Sequence, residues 1–203
     1  VWCIIFLVLV VGLTGNYGMG KSSVLSMFGE LGALTVDSDE VVRSLLGERG
    51  VLDRLRQVLG EAAFDSHGRI VRQKVSDMIF TDPARRRAVE DILHPLVFER
   101  VDAILNGARP ELAVVEAPLI FERGYEGRFD KTVVVYTSEE TALKRLLKAG
   151  ATRQDALRRL SCQMPAAEKV KRADFAVDNG GTREETRDQV REIFEKLKKE
   201  AGG

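Results

Sequence analysis

Eight consecutive residues, Gly15-Asn16-Tyr17-Gly18-Met19-Gly20-Lys21-Ser22, follow an unbroken apolar run ending at Leu13 and precede a helical pattern opening with Ser23-Val24-Leu25. This is the composition of a phosphate-binding loop. Glycines let backbone N–H groups close around phosphate oxygens, where a side chain would block the approach. Lys21 is placed to reach the terminal phosphates and Ser22 to ligate Mg²⁺, while the N-terminus of the following helix adds partial positive charge. Gly15, Gly18, Met19, Gly20 and Ser23 complete the expected nucleotide contacts. The chain therefore handles a nucleoside triphosphate, and the rest of the sequence must say where the phosphoryl group goes.

A phosphate loop serves switch GTPases, motor or transport ATPases and small-molecule kinases alike. The first need an Asn-Lys-x-Asp guanine reader, which is absent from this sequence. Asp178-Asn179-Gly180-Gly181 has the spacing of a GTPase switch motif, but it follows the last strand, too late in the chain to reach the phosphates, and reads as a turn. Motors and transporters need longer chains or a partner surface. The informative neighbour is Val36-Asp37-Ser38-Asp39, at the end of the second strand candidate. Ligands of open α/β sheets gather at the carboxyl ends of strands, so these carboxylates should face the loop. Phosphoryl transfer to a hydroxyl needs a carboxylate to take the proton and cations to neutralise the moving charge. Spacing alone does not choose between Asp37 and Asp39, and Ser38 or Asp39 can equally cap a helix beginning near Glu40.

The elements that must position these residues follow from pattern. Short continuous apolar segments at residues 4–13, 33–36, 112–116, 132–136 and 175–177 suit strands covered on both faces, and helical patterns lie between them. That alternation predicts a parallel α/β sheet flanked by helices. Asp82-Pro83 should open a long helix running to Asn106-Gly107, and Thr182-Arg183-Glu184-Glu185 is a capping box for the last one. About 75 residues between the second and third strands read as helical, more than a crossover requires, and predict a substrate-binding insert. Residues 144–172, dense in Arg and Lys and broken by Gly150 and Pro165, read either as a lid closing over phosphates or as a solvated helical hairpin.

Length and charge narrow the partners. The 203 residues fit one domain, with a core at about residues 1–44, 108–143 and 173–203, an insert at about 45–107 and the lid at 144–172. Lys plus Arg and Asp plus Glu number 31 each, so summed charge draws the chain to neither nucleic acid nor an anionic membrane. Two cysteines without a pairing pattern point to a reducing, cytoplasmic setting. The apolar run at residues 1–11 has no basic leader and passes straight into the phosphate loop, so it reads as a buried strand with a short extension rather than a signal peptide or anchor. Oligomeric state has no signature.

Taken together, Gly12-Leu13-Thr14-Gly15 running into the loop, Val36-Asp37-Ser38-Asp39 followed by Val42-Arg43, Ile92-Leu93-His94-Pro95, Pro118-Leu119-Ile120-Phe121-Glu122 and Val177-Asp178-Asn179-Gly180 resemble dephospho-CoA kinase. The similarity runs from about Val10 through the C-terminal helix. It implies a P-loop kinase fold with five parallel strands, a helical CoA-binding region and a lid. The implied reaction is ATP- and Mg²⁺-dependent phosphorylation of the ribose 3′-hydroxyl of dephospho-CoA, with another nucleoside or nucleotide kinase as the alternative. A nucleotide-binding module without an acceptor is the competing class. By this resemblance Asp39 is the catalytic base, Arg145 and Arg159 are lid arginines at the nucleotide, and Asn179 joins the ATP contacts. Asp37, Arg43, His94, Pro118 and Leu119 fall on the acceptor side, although His94 can equally end a helical turn before Pro95. Met19 replaces a small residue, Glu116 stands where many relatives have Asp, and Lys148-Ala149-Gly150 lacks one common lid arginine.

Overall fold

The computed structural model describes residues 8–202. In chain order the elements are β1 (Leu9–Thr14), α1 (Lys21–Glu30), β2 (Leu34–Asp37), α2 (Ser38–Leu45), α3 (Arg49–Leu59), α4 (Arg72–Thr81), α5 (Pro83–Ala108), β3 (Leu112–Glu116), β4 (Lys131–Tyr136), α6 (Glu139–Lys148), α7 (Arg153–Ser161), α8 (Ala166–Arg172), β5 (Phe175–Asp178) and α9 (Arg183–Ala201). Residues 8–37 with 107–202 form one compact unit and Ser38–Asn106 a second.

In the first unit the five strands lie parallel in the order β2-β3-β1-β4-β5. Every residue of β3 is buried, as the continuous apolar run requires of a strand covered on both faces. Alternate residues Val11 and Leu13 of β1, Leu112 and Val114 of β3, and Val133 and Val135 of β4 face one core. It is closed by Val24, Leu25, Met27 and Phe28 of α1 and by Val190, Ile193, Phe194 and Leu197 of α9. Helix α1 thus has its inner face bolted to the sheet directly behind the phosphate loop. The register sets Leu13 beside Glu116 and Asp37 beside Glu116, so β1, β2 and β3 end together.

Caps decide where the helices of this unit begin. Ser138, Thr152 and Thr182 accept backbone N–H groups from Thr141, Asp155 and Glu185, and Glu185 returns the bond to Thr182, completing the capping box. The expected first strand begins later than its apolar run: β1 starts at Leu9, and residues 4–7 lie outside the described residues. The charged segment at 144–172 is three helices rather than one hairpin, because α6 opens at Ser138 and the turns at 149–152 and 162–165 break the rest.

The Ser38–Asn106 unit has its own core, built from Val51, Leu55 and Leu59 on one face of α3, Ala63, Phe64, and Val89 of α5. It is not wholly helical as expected. Asp65 accepts N–H groups from His67 and Arg69, folding residues 64–70 into a tight turn whose flanks pair antiparallel at Phe64 and Ile70. Helix α5 starts as read, with Asp82 accepting the N–H groups of Ala84 and Arg85. It then runs through Pro95, so His94 does not end a turn. The missing proline N–H costs one helical bond, which burial of Val97, Val101 and Leu105 farther along offsets. Helix α2 begins at Ser38, two residues before the expected start, so Ser38 and Asp39 lie inside its first turn instead of capping it.

Phe28 is fully buried at the centre of the contact between α1 and the sheet. Phe28→Ala should destabilise the protein by about 3–5 kcal/mol, measured by urea unfolding of the purified variant.

Candidate active site

The segment from Gly15 to Ser22 is held in shape by the protein around it. Gly15 has φ 153° and Gly20 has φ 87°. A Cβ at Gly15 would strike the Val135 carbonyl, and one at Gly20 would strike the Asn179 amide, so both positions need glycine for conformation and for space. The Asn16 side-chain amide donates to the Met164 carbonyl at 2.9 Å, and the Tyr17 N–H donates to Gln163 Oε1 at 2.8 Å. Asn179 Nδ2 donates to the Met19 carbonyl at 2.9 Å. Gly20 begins α1 without a side-chain cap, and no acidic residue sits in the first turn. The partial positive charge of that terminus is left for an anion.

Lys21 Nζ lies 3.8 Å from Glu116 Oε1, with both side chains largely buried. The parallel register produces this pair, because Lys21 follows β1 and Glu116 ends β3 beside it. A cavity of about 560 Å³ opens beside the loop, lined among others by Gly20, Ser22, Ser23, Arg145, Asn179 and Arg183. Arg145 Nη2 donates to the Asn179 carbonyl at 2.8 Å. Its Nη1 is buried with no hydrogen-bond partner among the described residues, a donor that an anion or a base acceptor entering the cavity would satisfy. Ser22 supplies a hydroxyl at the cavity, and Glu116 a carboxylate beside the neighbouring Lys21. Both are hard oxygen donors of the kind Mg²⁺ takes when phosphate oxygens and water complete its shell.

With this geometry in view, comparison with known proteins is decisive. The family model for dephospho-CoA kinase matches residues 9–185. The chain belongs to the dephospho-CoA kinase family. A dephospho-CoA kinase of Agrobacterium fabrum is 42% identical over 198 residues, covering 94% of this chain and 99% of the relative. One of Aquifex aeolicus is 38% identical over 189 residues, covering 92% and 96%. Among solved structures, that of TT1252 from Thermus thermophilus superposes with a TM-score of 0.83 at 30% identity, covering 94% of this chain and 98% of the other.

Against the pattern of the dephospho-CoA kinase family, the predicted residues divide. Gly20, Ser22, Ser23, Arg145 and Asn179 line one cavity in the first unit, and Gly15, Gly18, Met19 and Lys21 belong to the loop beside it without being among its lining residues. Met19 is buried at 1% exposure, so its side chain is turned away from the cavity. Arg159 lies with its guanidinium 4.9 Å over the Tyr17 ring rather than in the cavity lining. Asp37 closes β2 in register with Glu116, and the Pro118 carbonyl receives the Thr14 hydroxyl at 3.1 Å, with Leu119 following. Asp39, Arg43 and His94 belong to the Ser38–Asn106 unit, with Asp39 and Arg43 one turn apart on α2.

The expectation that residues 178–181 come too late to reach the phosphates is corrected. They form a turn, but β5 ends at the same edge as the phosphate loop, and Asn179 and Gly181 line its cavity. Lys169 escaped the sequence reading altogether. It is fully buried on α8, ion-paired with Glu122 at 2.8 Å and bonded to the Pro118 carbonyl at 3.0 Å. Burial pushes its pKa below the usual lysine value, Glu122 opposes the shift, and the nearby Lys21 charge adds to it. Inside Glu168-Lys169-Val170-Lys171-Arg172 nothing in the sequence separates it from its solvated neighbours.

If the buried Nη1 of Arg145 is reserved for nucleotide, Arg145→Ala should raise the Kd for ATP by roughly 10- to 100-fold, the worth of a hydrogen bond to a charged group. Calorimetric titration of the variant checks this, and an unchanged Kd would remove Arg145 from the nucleotide site.

Proposed function

We propose that this chain transfers the γ-phosphoryl group of ATP to the ribose 3′-hydroxyl of dephospho-CoA, giving coenzyme A and ADP. One observation carries the reading: the phosphate loop, Arg145 and Asn179 border one cavity in a chain that belongs to the dephospho-CoA kinase family over residues 9–185. The loop N–H groups and the α1 terminus hold the phosphates. Lys21 neutralises charge as it develops on the γ-phosphoryl oxygens, and Arg145 steadies the nucleotide from the lid side. Arg159, stacked on Tyr17, fixes the loop's other flank. Ser22 is the metal-binding hydroxyl, and Mg²⁺ when bound neutralises the β- and γ-phosphates.

Asp39 accepts the proton of the 3′-hydroxyl as that oxygen bonds to phosphorus, and the bond from phosphorus to the β–γ bridging oxygen breaks to release ADP. Asp37, two residues earlier, orients the acceptor, with Arg43, His94, Pro118 and Leu119 along the remainder of the CoA moiety. No helix among the described residues is long and apolar enough to cross a membrane. We assign the reaction to the cytoplasm, in keeping with the unpaired pattern of the cysteines.

The test combines the purified protein with ATP, Mg²⁺ and dephospho-CoA and locates the new phosphate by ³¹P NMR. A 3′-phosphomonoester is expected, and Asp39→Asn should lower kcat by about 10²–10⁴ while ATP binding persists, with Asp37→Asn less damaging. Release of inorganic phosphate without acceptor phosphorylation would favour the nucleotide-binding module. A larger effect at Asp37 would exchange the roles of the two carboxylates.

A further inference from the structure

Lys169 is a fully buried lysine, and both groups that its ammonium is seen to bond, the Pro118 carbonyl and Glu122, are tied to the nucleotide loop. Its Nζ donates to the Pro118 carbonyl, which also receives the Thr14 hydroxyl at the end of β1. It also pairs with Glu122 Oε1, and that same oxygen accepts the Met164 N–H at 3.0 Å. The Met164 carbonyl in turn accepts the Asn16 side chain, and the adjacent Gln163 accepts the Tyr17 N–H. One buried cation therefore closes a circuit through three segments: the phosphate loop, the turn between α7 and α8, and the loop that follows β3. Arg172, at the end of α8, reinforces it by pairing with Glu126 and lying 4.9 Å over the Phe121 ring.

Such a placement is costly for an ammonium group unless its charge is matched, and here one carboxylate and one carbonyl do the matching. A chain needing only a packed interior would be served by an apolar residue at this position. The charge instead makes the docking of the α7–α8 turn conditional on Glu122, whose single oxygen holds both that turn and α8. Without the ammonium, the Glu122 carboxylate that receives the Met164 N–H is left without this counter-charge, and the hold of that turn on Asn16 and Tyr17 weakens.

We propose that Lys169 is a positioning residue for phosphoryl transfer: with Glu122 it clamps the α7–α8 turn onto Asn16 and Tyr17, fixing the phosphate loop and the Pro118–Leu119 segment relative to each other. This rests on the kinase reading, since what is positioned is the phosphate donor against the segment assigned to the acceptor. Misplacement of reacting groups by about an ångström costs up to roughly 10²-fold in rate, which sets the scale of the effect.

The experiment uses Lys169→Met, Glu122→Gln and the double variant in the full-length protein. Each single variant strands one buried charge and should lose thermal stability. The double variant removes both charges and should unfold near the wild-type temperature. A clamp predicts that kcat of the double variant stays roughly 30- to 100-fold below wild type, with KM for dephospho-CoA changed less than about threefold. It also predicts that trypsin cuts the double variant at Arg153, Arg158 and Arg159 equally fast with and without saturating ATP, whereas ATP slows cleavage of the wild type. If kcat recovers together with stability in the double variant, Lys169 serves folding alone and the proposal fails. The proteolysis readout does not depend on the acceptor, so wild-type protein that is protected by ATP but phosphorylates no dephospho-CoA would overturn the kinase reading, and with it the role in phosphoryl transfer, and leave Lys169 only the hold of the α7–α8 turn on the phosphate loop.

Discussion

The constraint on which the rest of the structure depends is that the phosphate loop must be held without using the groups that hold phosphate. Backbone N–H groups aimed at an anion cannot also anchor the loop. It is fixed instead through groups that make bonds elsewhere: the Asn16 side chain and Tyr17 N–H to the turn at 163–164, and the Met19 carbonyl to Asn179. Gly15 and Gly20 let the backbone pass within contact of Val135 and Asn179, where any side chain would collide. Helix α1, packed to the sheet through Val24, Met27 and Phe28, fixes the last turn of the loop from behind. Three separate stretches of chain are thus committed to the geometry of one short segment.

Charge follows the same logic. Two lysines lie near each other behind the loop, and each is matched to its own carboxylate, Lys21 to Glu116 and Lys169 to Glu122. The two pairs differ in length. The Lys21 pair is long, at 3.8 Å. The Lys169 pair is short and its ammonium fully enclosed, with a carbonyl taking a second proton, and is suited to holding structure.

Much of this was legible in the sequence because it rests on local signals. The phosphate loop is contiguous, the strands are short apolar runs, and Asp82-Pro83 and Thr182 to Glu185 announce helix starts through their own side chains. What escaped depends on contacts between distant segments. Asn179 reaches the phosphate loop from 160 positions away because parallel strands end at one edge; a reading by order along the chain placed its turn too late, and only the family resemblance put Asn179 among the nucleotide contacts. Lys169 is buried by elements that lie before it in the sequence, and a charged run conceals that. Continuation of α5 through Pro95 is likewise decided by burial on both sides of the proline and not by its local preference.

The Ser38–Asn106 unit is a second folded body with its own core, far more chain than is needed to connect β2 to β3. We infer that it binds the remote parts of a long acceptor and converts that binding into rate. The most direct measurement is kcat/KM for dephospho-CoA, AMP and adenosine as acceptors under identical ATP and Mg²⁺. Dephospho-CoA should be preferred by at least about 10²-fold, or roughly 2.7 kcal/mol, with kcat as well as KM worsening for the truncated acceptors. Equal kcat/KM for AMP or adenosine would contradict that role and make this chain a general nucleoside or nucleotide kinase on the same scaffold.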